Sequence, residues 1–366
     1  MGTYKKKLKD FAEKERELWR IFDRTPFEDG VALGHVDDAT ALRLLDHASY
    51  FALMRLPQPA DPGATLAALE RDALLRRCDA GGWDITNLGA VLFAARLDDF
   101  ARLRRKAMRV IVYEGDSRLV TVQEQVATAG YACGFEALIE RINGLLPSNE
   151  VIGRALRKTV RMFPALAVRE LVANALIHQD FSVTGAGPMV EVFADRMEVT
   201  NPGAPLVETH RFLDQPPRSR NETLASHMRR MGICEERGSG VDKVVSEIER
   251  FQLPAPLFDA PGESTRAVLF AHRPLDKMDK ADRVRACYLH ACLRYVDHGY
   301  LTNATLRERF GIELKNKATA SRIIRDAVAA GQIVPHDPDA ADKLMKYIPA
   351  WASSSAPAGR QVPDGP

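Results

Sequence analysis

The sequence predicts an α+β fold built from more than one module, and three observations carry that prediction. A chain of 366 residues is too long for one ordinary core. Its middle third alternates apolar helical stretches with short strands: Met189–Phe193 and Met197–Thr200 alternate apolar and polar residues on either side of Ala194-Asp195-Arg196, a hairpin signature. On each side of that third lies a stretch that reads as helix, helix, turn and a short strand pair.

Composition narrows the class. With 46% hydrophobic and 27% charged residues the chain is of the soluble globular type. The start, Met1-Gly2-Thr3-Tyr4-Lys5-Lys6-Lys7, is basic but lacks the apolar run of a secretory signal, and no stretch has the length of a membrane span. The expected location is the cytoplasm. The five cysteines (Cys78, Cys133, Cys234, Cys287, Cys292) include no CxxC pair and no histidine at zinc spacing, so they read as packing residues of a reducing compartment. A net charge of +2 does not announce a nucleic-acid partner, although Arg102–Arg109 and Arg307–Arg325 are basic clusters.

In chain order, residues 8–22 read as a charged helix broken by Pro26 and Gly30. Asp37 or Asp38 caps a helix through Met54, a second helix covers 64–75, Gly81-Gly82 turns, and another helix ends near Phe93. Met108–Tyr113 reads as a strand and residues 135–146 as a helix. Pro164 opens a helix to His178, residues 204–237 form a long, partly helical connection, and a helix over 241–251 precedes a strand at 266–271. Beyond Pro274 the pattern is helix 282–295, helix 303–310, Gly311, helix 317–330, and two short strands around Asp337-Pro338-Asp339. The expected modules are 1–34, 35–150, 151–273 and 275–351, with a disordered tail over 352–366 rich in Ser, Pro, Ala and Gly.

The 164–178 helix is apolar nearly all round, hence buried, yet Glu170, Asn174 and His178 recur every four residues. That spacing makes one polar stripe of about 80°. A buried carboxylate needs a cation or a donor. Mg²⁺ with phosphates would satisfy Glu170 and Asn174 together; an internal network with Arg169 or the sheet would do so equally. Asn201-Pro202-Gly203 after the hairpin can present a polar side chain to a base edge, with glycine for close backbone approach. Gly238-Ser239-Gly240 before a helix is a phosphate cradle in form, and a bound anion would account for Lys243 in that helix's first turn.

Glu170-Leu-Val-Ala-Asn174, Asn201-Pro-Gly203 and Gly238-Ser-Gly240 in this order resemble the GHKL ATPases, the group of gyrase and the histidine kinases. In finer detail Arg169–Ser182, Asp195–Gly203, Arg220-Asn221 and Glu236–Val241 are similar to the RecG-like ATP-binding family, over roughly residues 37–270. The resemblance implies a GHKL-like α/β sandwich flanked by winged-helix-type modules, with residues 1–34 the remnant of an N-terminal Schlafen/AlbA-type domain. It implies ATP and Mg²⁺ as cofactors, Glu170 as the general base that orients water, and Asn174 as a Mg²⁺ ligand. Asn201 stands where the GHKL ATPases have an Asp that reads the adenine amino group. Gly203 would line the base pocket, Gly238, Ser239 and Gly240 would meet the phosphates with Lys243 nearby, and residues 218–237 would form a lid. No GxxxxGK[ST] loop is present, which argues against a P-loop motor.

The C-terminal pattern is that of a winged helix-turn-helix. Ala320, Ile324, Ala327 and Val328 are expected to face the core, leaving Lys315, Lys317, Ser321, Arg322 and Arg325 for phosphates and bases. The sequence thus reads as an ATP-binding, DNA-associated regulator, with Mg²⁺-dependent ATP hydrolysis an open question. The alternative is a DNA-binding transcription regulator whose GHKL-like part is a non-catalytic scaffold. A protein-interaction module is the third class, and homo-oligomerisation is left open.

Overall fold

The computed structural model describes residues 11, 13–15, 26–152, 157–234, 240–341 and 344–353. Most of the helix expected over 8–22, the Gly238-Ser239 turn and the tail beyond 353 therefore lie outside the described residues.

The first module is a three-stranded antiparallel sheet, β1 (Val31–Val36), β2 (Leu75–Arg77) and β3 (Trp83–Thr86), in the order β1-β3-β2. Between β1 and β2 run α1 (Asp38–Leu44), α2 (His47–Leu53) and α3 (Pro62–Arg71). The single helix expected up to Met54 is two, because Leu45 is extended and Asp46 caps anew, accepting from Ser49 N at 3.0 Å. An Asp inside a helical pattern competes for the backbone in this way. Asp61 caps α3 with Pro62 behind it, and Thr86 caps α4 (Asn87–Phe93), which is buried along its whole length.

The large sheet has six strands in the order β10-β11-β9-β8-β4-β5, from β4 (Arg109–Tyr113), β5 (Thr121–Val126), β8 (Met189–Val192), β9 (Arg196–Pro202), β10 (Leu257–Asp259) and β11 (Ser264–Phe270). Only the β4–β8 pairing is parallel. β4 and β5 lie upstream of the division expected near residue 150, and they complete the sheet of the segment downstream of it. An antiparallel pair, β6 (Ser148–Ile152) with β7 (Arg157–Arg161), comes between. Val190, Val192, Met197 and Val199 are buried; the polar members of the alternation, Glu191 and Glu198, are buried too, because Arg118 bridges them at 2.6 and 2.7 Å.

Three helices pack together with this sheet: α5 (Phe135–Leu145), α6 (Ala165–Ile177) and α8 (Gly240–Arg250); α7 (Glu222–Arg230) connects β9 to α8. One continuous apolar core joins the first module to the large sheet. Phe27 stacks on Phe181 at 4.4 Å, and the Glu28 carboxylate accepts from Leu224 N at 2.7 Å, at the start of α7.

The C-terminal segment is α9 (Lys280–Val296), α10 (Asn303–Phe310), α11 (Lys317–Ala329), a ribbon of β12 (Ile333–Pro335) with β13 (Tyr347–Pro349), and the short α12 (Ala350–Ser353). Thr302 and Thr305 form a capping box on α10, and Gly311 ends it in the left-handed region at φ 63°. On α11, Ala320, Ile324 and Ala327 are buried as expected, but Val328 is exposed and Ile323 takes the fourth core position. The stripe is thus 320, 323, 324 and 327, the closer fit to 3.6 residues per turn. This core is shared: Leu213, Val245 and Ala255 of the preceding segment are part of it.

Candidate functional site

α6 is held on the sheet by apolar contacts on nearly every side, so its polar stripe can face only where the packing opens. It opens onto a cavity of about 780 Å³ that Glu170, Asn174 and His178 line together. That volume is in the ordinary range of ligand clefts, about 300–1,000 Å³. Glu170 is 4% exposed, while Asn174 is half-buried.

The cavity has two chemically different sides. Val199 and Asn201 from β9 and Thr265 and Ala267 from β11 line it from the sheet, and Leu206, Phe212 and Phe258 add apolar surface. Asn201 is buried, and its Nδ2 donates to Pro202 O at 3.2 Å, which leaves Oδ1 as the acceptor edge. The other side is cationic: Arg218, Arg220 and Arg229 line it. Asn221 fixes this segment by donating to Ile177 O at 2.7 Å and Gln179 O at 2.8 Å, satisfying carbonyls at the end of α6.

α8 begins against the polar stripe. A Cβ on Gly240 would stand 2.8 Å from Glu170 Oε2 and 3.7 Å from Asn174 Nδ2, so any larger residue there would displace the Glu170 carboxylate. The structure therefore brings Glu170, Asn174, Asn201 and Gly240 to one cavity. It does not bring all the expected residues there. Gly203 has φ 105° and its Cβ position is 2.9 Å from Asp180 Cβ, so it serves the turn that closes β9 onto the Asp180 loop. Lys243 is not on the cavity wall. Gly238 and Ser239 lie outside the described residues. Arg218 and Arg229 are cavity residues that the sequence does not single out: the expected lid contains them, but which of its cations turn inward depends on the path of the chain.

Electrostatics at the site follow from burial. The His178 imidazole is pushed down to about 4 by its burial and then by the Arg220 guanidinium, so it is neutral near pH 7. Asp242, in the first turn of α8, is pushed up to about 6 by burial and by Asp297, and among the described residues its buried Oδ1 has no hydrogen-bond partner. Its folded-state value lies above the ordinary 3.8, so its contribution to stability is present below about pH 4 and lost as the pH rises through about 6. Asp242→Asn is accordingly expected to stabilise the protein by about 1–2 kcal/mol at pH 7.5 and to have no such effect at pH 4, read as urea midpoints at the two pH values. An equal shift at both would contradict the assignment.

Residues 185–269 match the family model described as "Putative ATP-dependent DNA helicase recG C-terminal". The matched span includes Asn201, Gly203 and Gly240 and begins after the helix that carries Glu170 and Asn174. No curated protein matches the chain. Among solved structures, the DIP2311 protein from Corynebacterium diphtheriae superposes with a TM-score of 0.53 at 17% identity, covering 92% of this chain and 67% of that one. At that identity the likeness concerns the fold. Among the described residues no helix is long and apolar enough to cross a membrane. The mixed sheet and the matched span support a RecG-like ATPase-type domain in an α+β chain, and a nucleotide is the ligand class to which that domain points.

Proposed function

We propose that the cavity between α6 and α8 binds ATP with Mg²⁺ and that the chain is a DNA-associated regulator. The observation that carries the nucleotide reading is Gly240 seated on Glu170 and Asn174 at the mouth of a cleft with an apolar side and an arginine side. Val199, Ala267 and Phe258 suit a purine ring, and Asn201 Oδ1 suits an amino-group donor on its edge. Arg218, Arg220, Arg229 and the start of α8 suit the phosphates. Bound Mg²⁺ would neutralise part of the phosphate charge, and the Asn174 amide and Glu170 carboxylate would supply oxygens to it or its waters. Equilibrium titration of the full chain with ATP, with and without Mg²⁺ and against GTP, tests this. Saturable, Mg²⁺-strengthened binding that favours ATP is expected, and absence of binding to either nucleotide would sink the reading.

The DNA reading rests on the C-terminal segment, whose three helices and ribbon fit a winged helix. Lys315, Lys317, Ser321, Arg322 and Arg325 are all exposed along and just before α11. Lys315 pairs with Glu313 at 2.6 Å, an exposed contact that a DNA phosphate can displace. Ser321 Oγ accepts from Asn303 Nδ2 at 3.0 Å, which ties α10 to α11. Replacing Arg322 and Arg325 together with Ala is expected to weaken duplex-DNA binding and to reduce its salt slope by about 1 for each phosphate contact removed. Stability should change by only about 0.5 kcal/mol, because both side chains are exposed. A folded double variant that binds DNA like the parent would remove this reading.

The two halves are physically joined. α8 begins at the cavity and ends at Glu249 and Arg250, where Glu249 meets α9 and α10. The scaffold alternative predicts DNA binding without any ATP turnover, and a turnover assay on the parent separates the two.

A further inference from the structure

The small N-terminal sheet carries a group of side chains that the nucleotide and DNA readings do not use. His35, Cys78 and Asp84 are 43 and 6 residues apart in sequence, yet their nitrogen, sulfur and oxygen ligand atoms all lie within 4.8 Å of one another. The register explains the meeting. Arg76 pairs with Asp84 across β2 and β3, and the pleat puts Cys78, two residues on, on the same side as both. Trp83 and Ile85 point the other way, into the core. On the far side of β3 the pairing with β1 is irregular between Leu33 and Val36, and His35 sits in that irregularity at φ 57°.

Asp84 is the hub. Its Oδ1 accepts from Cys78 Sγ at 2.9 Å and from His35 N at 3.0 Å. A Cβ on Gly34 would stand 2.9 Å from that same oxygen, so a glycine beside His35 makes room for the carboxylate. The Arg76 guanidinium donates to Asp29 O at 3.1 Å. Cys78 is therefore no packing residue: it is half-buried and held against a carboxylate, unlike Cys287 and Cys292, which are buried in the C-terminal core.

We propose that His35, Cys78 and Asp84 form a site for a divalent transition cation of the zinc class, with water completing the coordination. One thiolate, one imidazole and one carboxylate are the donors such ions take, and three protein ligands leave the fourth tetrahedral position to solvent. Bonds of about 2.0–2.3 Å to such an ion separate its ligands by about 3.3–3.8 Å. The pair Cys78–Asp84 is already closer than that, and a nitrogen of the exposed His35 ring lies within 4.8 Å of both. Hard cations such as Mg²⁺ and Ca²⁺ are disfavoured by the sulfur. Binding replaces the S–H···O contact with two bonds to the metal and releases the thiol proton.

The test uses the full chain, stripped with chelator, kept reduced, and titrated with Co²⁺. The expected result is a sulfur-to-cobalt charge-transfer band in the near ultraviolet that saturates at one cobalt per chain and bleaches on adding Zn²⁺. Cys78→Ser should abolish it. His35→Asn, which keeps a residue tolerant of the left-handed backbone, and Asp84→Asn, which keeps an acceptor at Oδ1, should each weaken cobalt binding at least about tenfold. Thermal unfolding in chelator checks that each variant is folded; if Cys78→Ser is not, the other two decide. No band in the parent, a band that survives in folded Cys78→Ser, or undiminished affinity in both amide variants would overturn the proposal and leave a hydrogen-bonded cluster that shapes β1.

Discussion

Asn174→Ala is expected to raise the Kd for ATP in the presence of Mg²⁺ by about 10–100-fold, the usual range for loss of a group that holds or orients a metal. Without Mg²⁺ the parent and the variant should bind alike. The reason is positional. Asn174 is half-buried on the cavity wall, one helical turn from Glu170 and under the start of α8, so alanine would remove the proposed oxygen ligand without opening the apolar core. The paired variant Glu170→Ala separates chemistry from architecture. If Glu170 orients the attacking water, turnover disappears while ATP still binds, because a general base acts in the chemical step. If binding and thermal stability fall together, Glu170 is instead the buried support on which Gly240 rests. Nucleotide titrations with and without Mg²⁺, with a phosphate-release assay beside them, read both variants. Unchanged affinity in Asn174→Ala would end the metal-ligand assignment.

Arg309→Ala carries the largest expected effect on stability. The Arg309 side chain is 1% exposed in α10, donates from Nη2 to Leu253 O at 2.7 Å, and places Nε 3.4 Å from Glu249 Oε1. Glu249 Oε2 in turn meets His290 Nδ1 at 2.9 Å. Burial lowers the Arg309 pKa and Glu249 opposes that shift, yet a guanidinium remains charged at any ordinary pH. Removing one member of such a buried pair leaves the other uncompensated and costs about 3–5 kcal/mol. The urea midpoint should fall accordingly, while Arg309→Met combined with Glu249→Met should recover more than half of the loss, since apolar groups of similar volume need no partner. A loss under about 1 kcal/mol in Arg309→Ala would show that water reaches the pair. Because Glu249 lies in the last turn of the helix that starts at the α6–α8 cavity, this contact also joins the C-terminal helices to that helix.

The elements with strong periodicity were legible in the chain. α6, α8, α9 and α11 lie within a residue or two of their expected bounds, because a one-sided or fully apolar helical pattern has few alternatives. The hairpin of β8 and β9 was equally plain. β1, β5 and β10 were not: β1 is interrupted at Gly34-His35, β5 carries Gln123, Glu124 and Gln125 at an exposed edge, and β10 is three residues long. Such strands exist because a neighbour pairs with them, and that information lies elsewhere in the sequence. The same reason splits the helix at Asp46, where a local cap overrides a continuous pattern.

The sequence by itself determined the strongly periodic helices and the β8–β9 hairpin, the polar stripe Glu170-Asn174 on a buried helix, the glycine that opens α8, and the exposed basic face of α11. Each is a matter of local periodicity or of one residue's backbone freedom. Only the tertiary structure decided which polar groups share a space. It set Asn201 and Gly240 on one cavity with Glu170 and turned Gly203 to the Asp180 loop. It brought Arg218 and Arg229 inward, buried Arg309 against Glu249, and carried His35 across 43 residues to Cys78. Proximity between residues distant in the chain is fixed by sheet register and helix packing, and no spacing along the sequence encodes it.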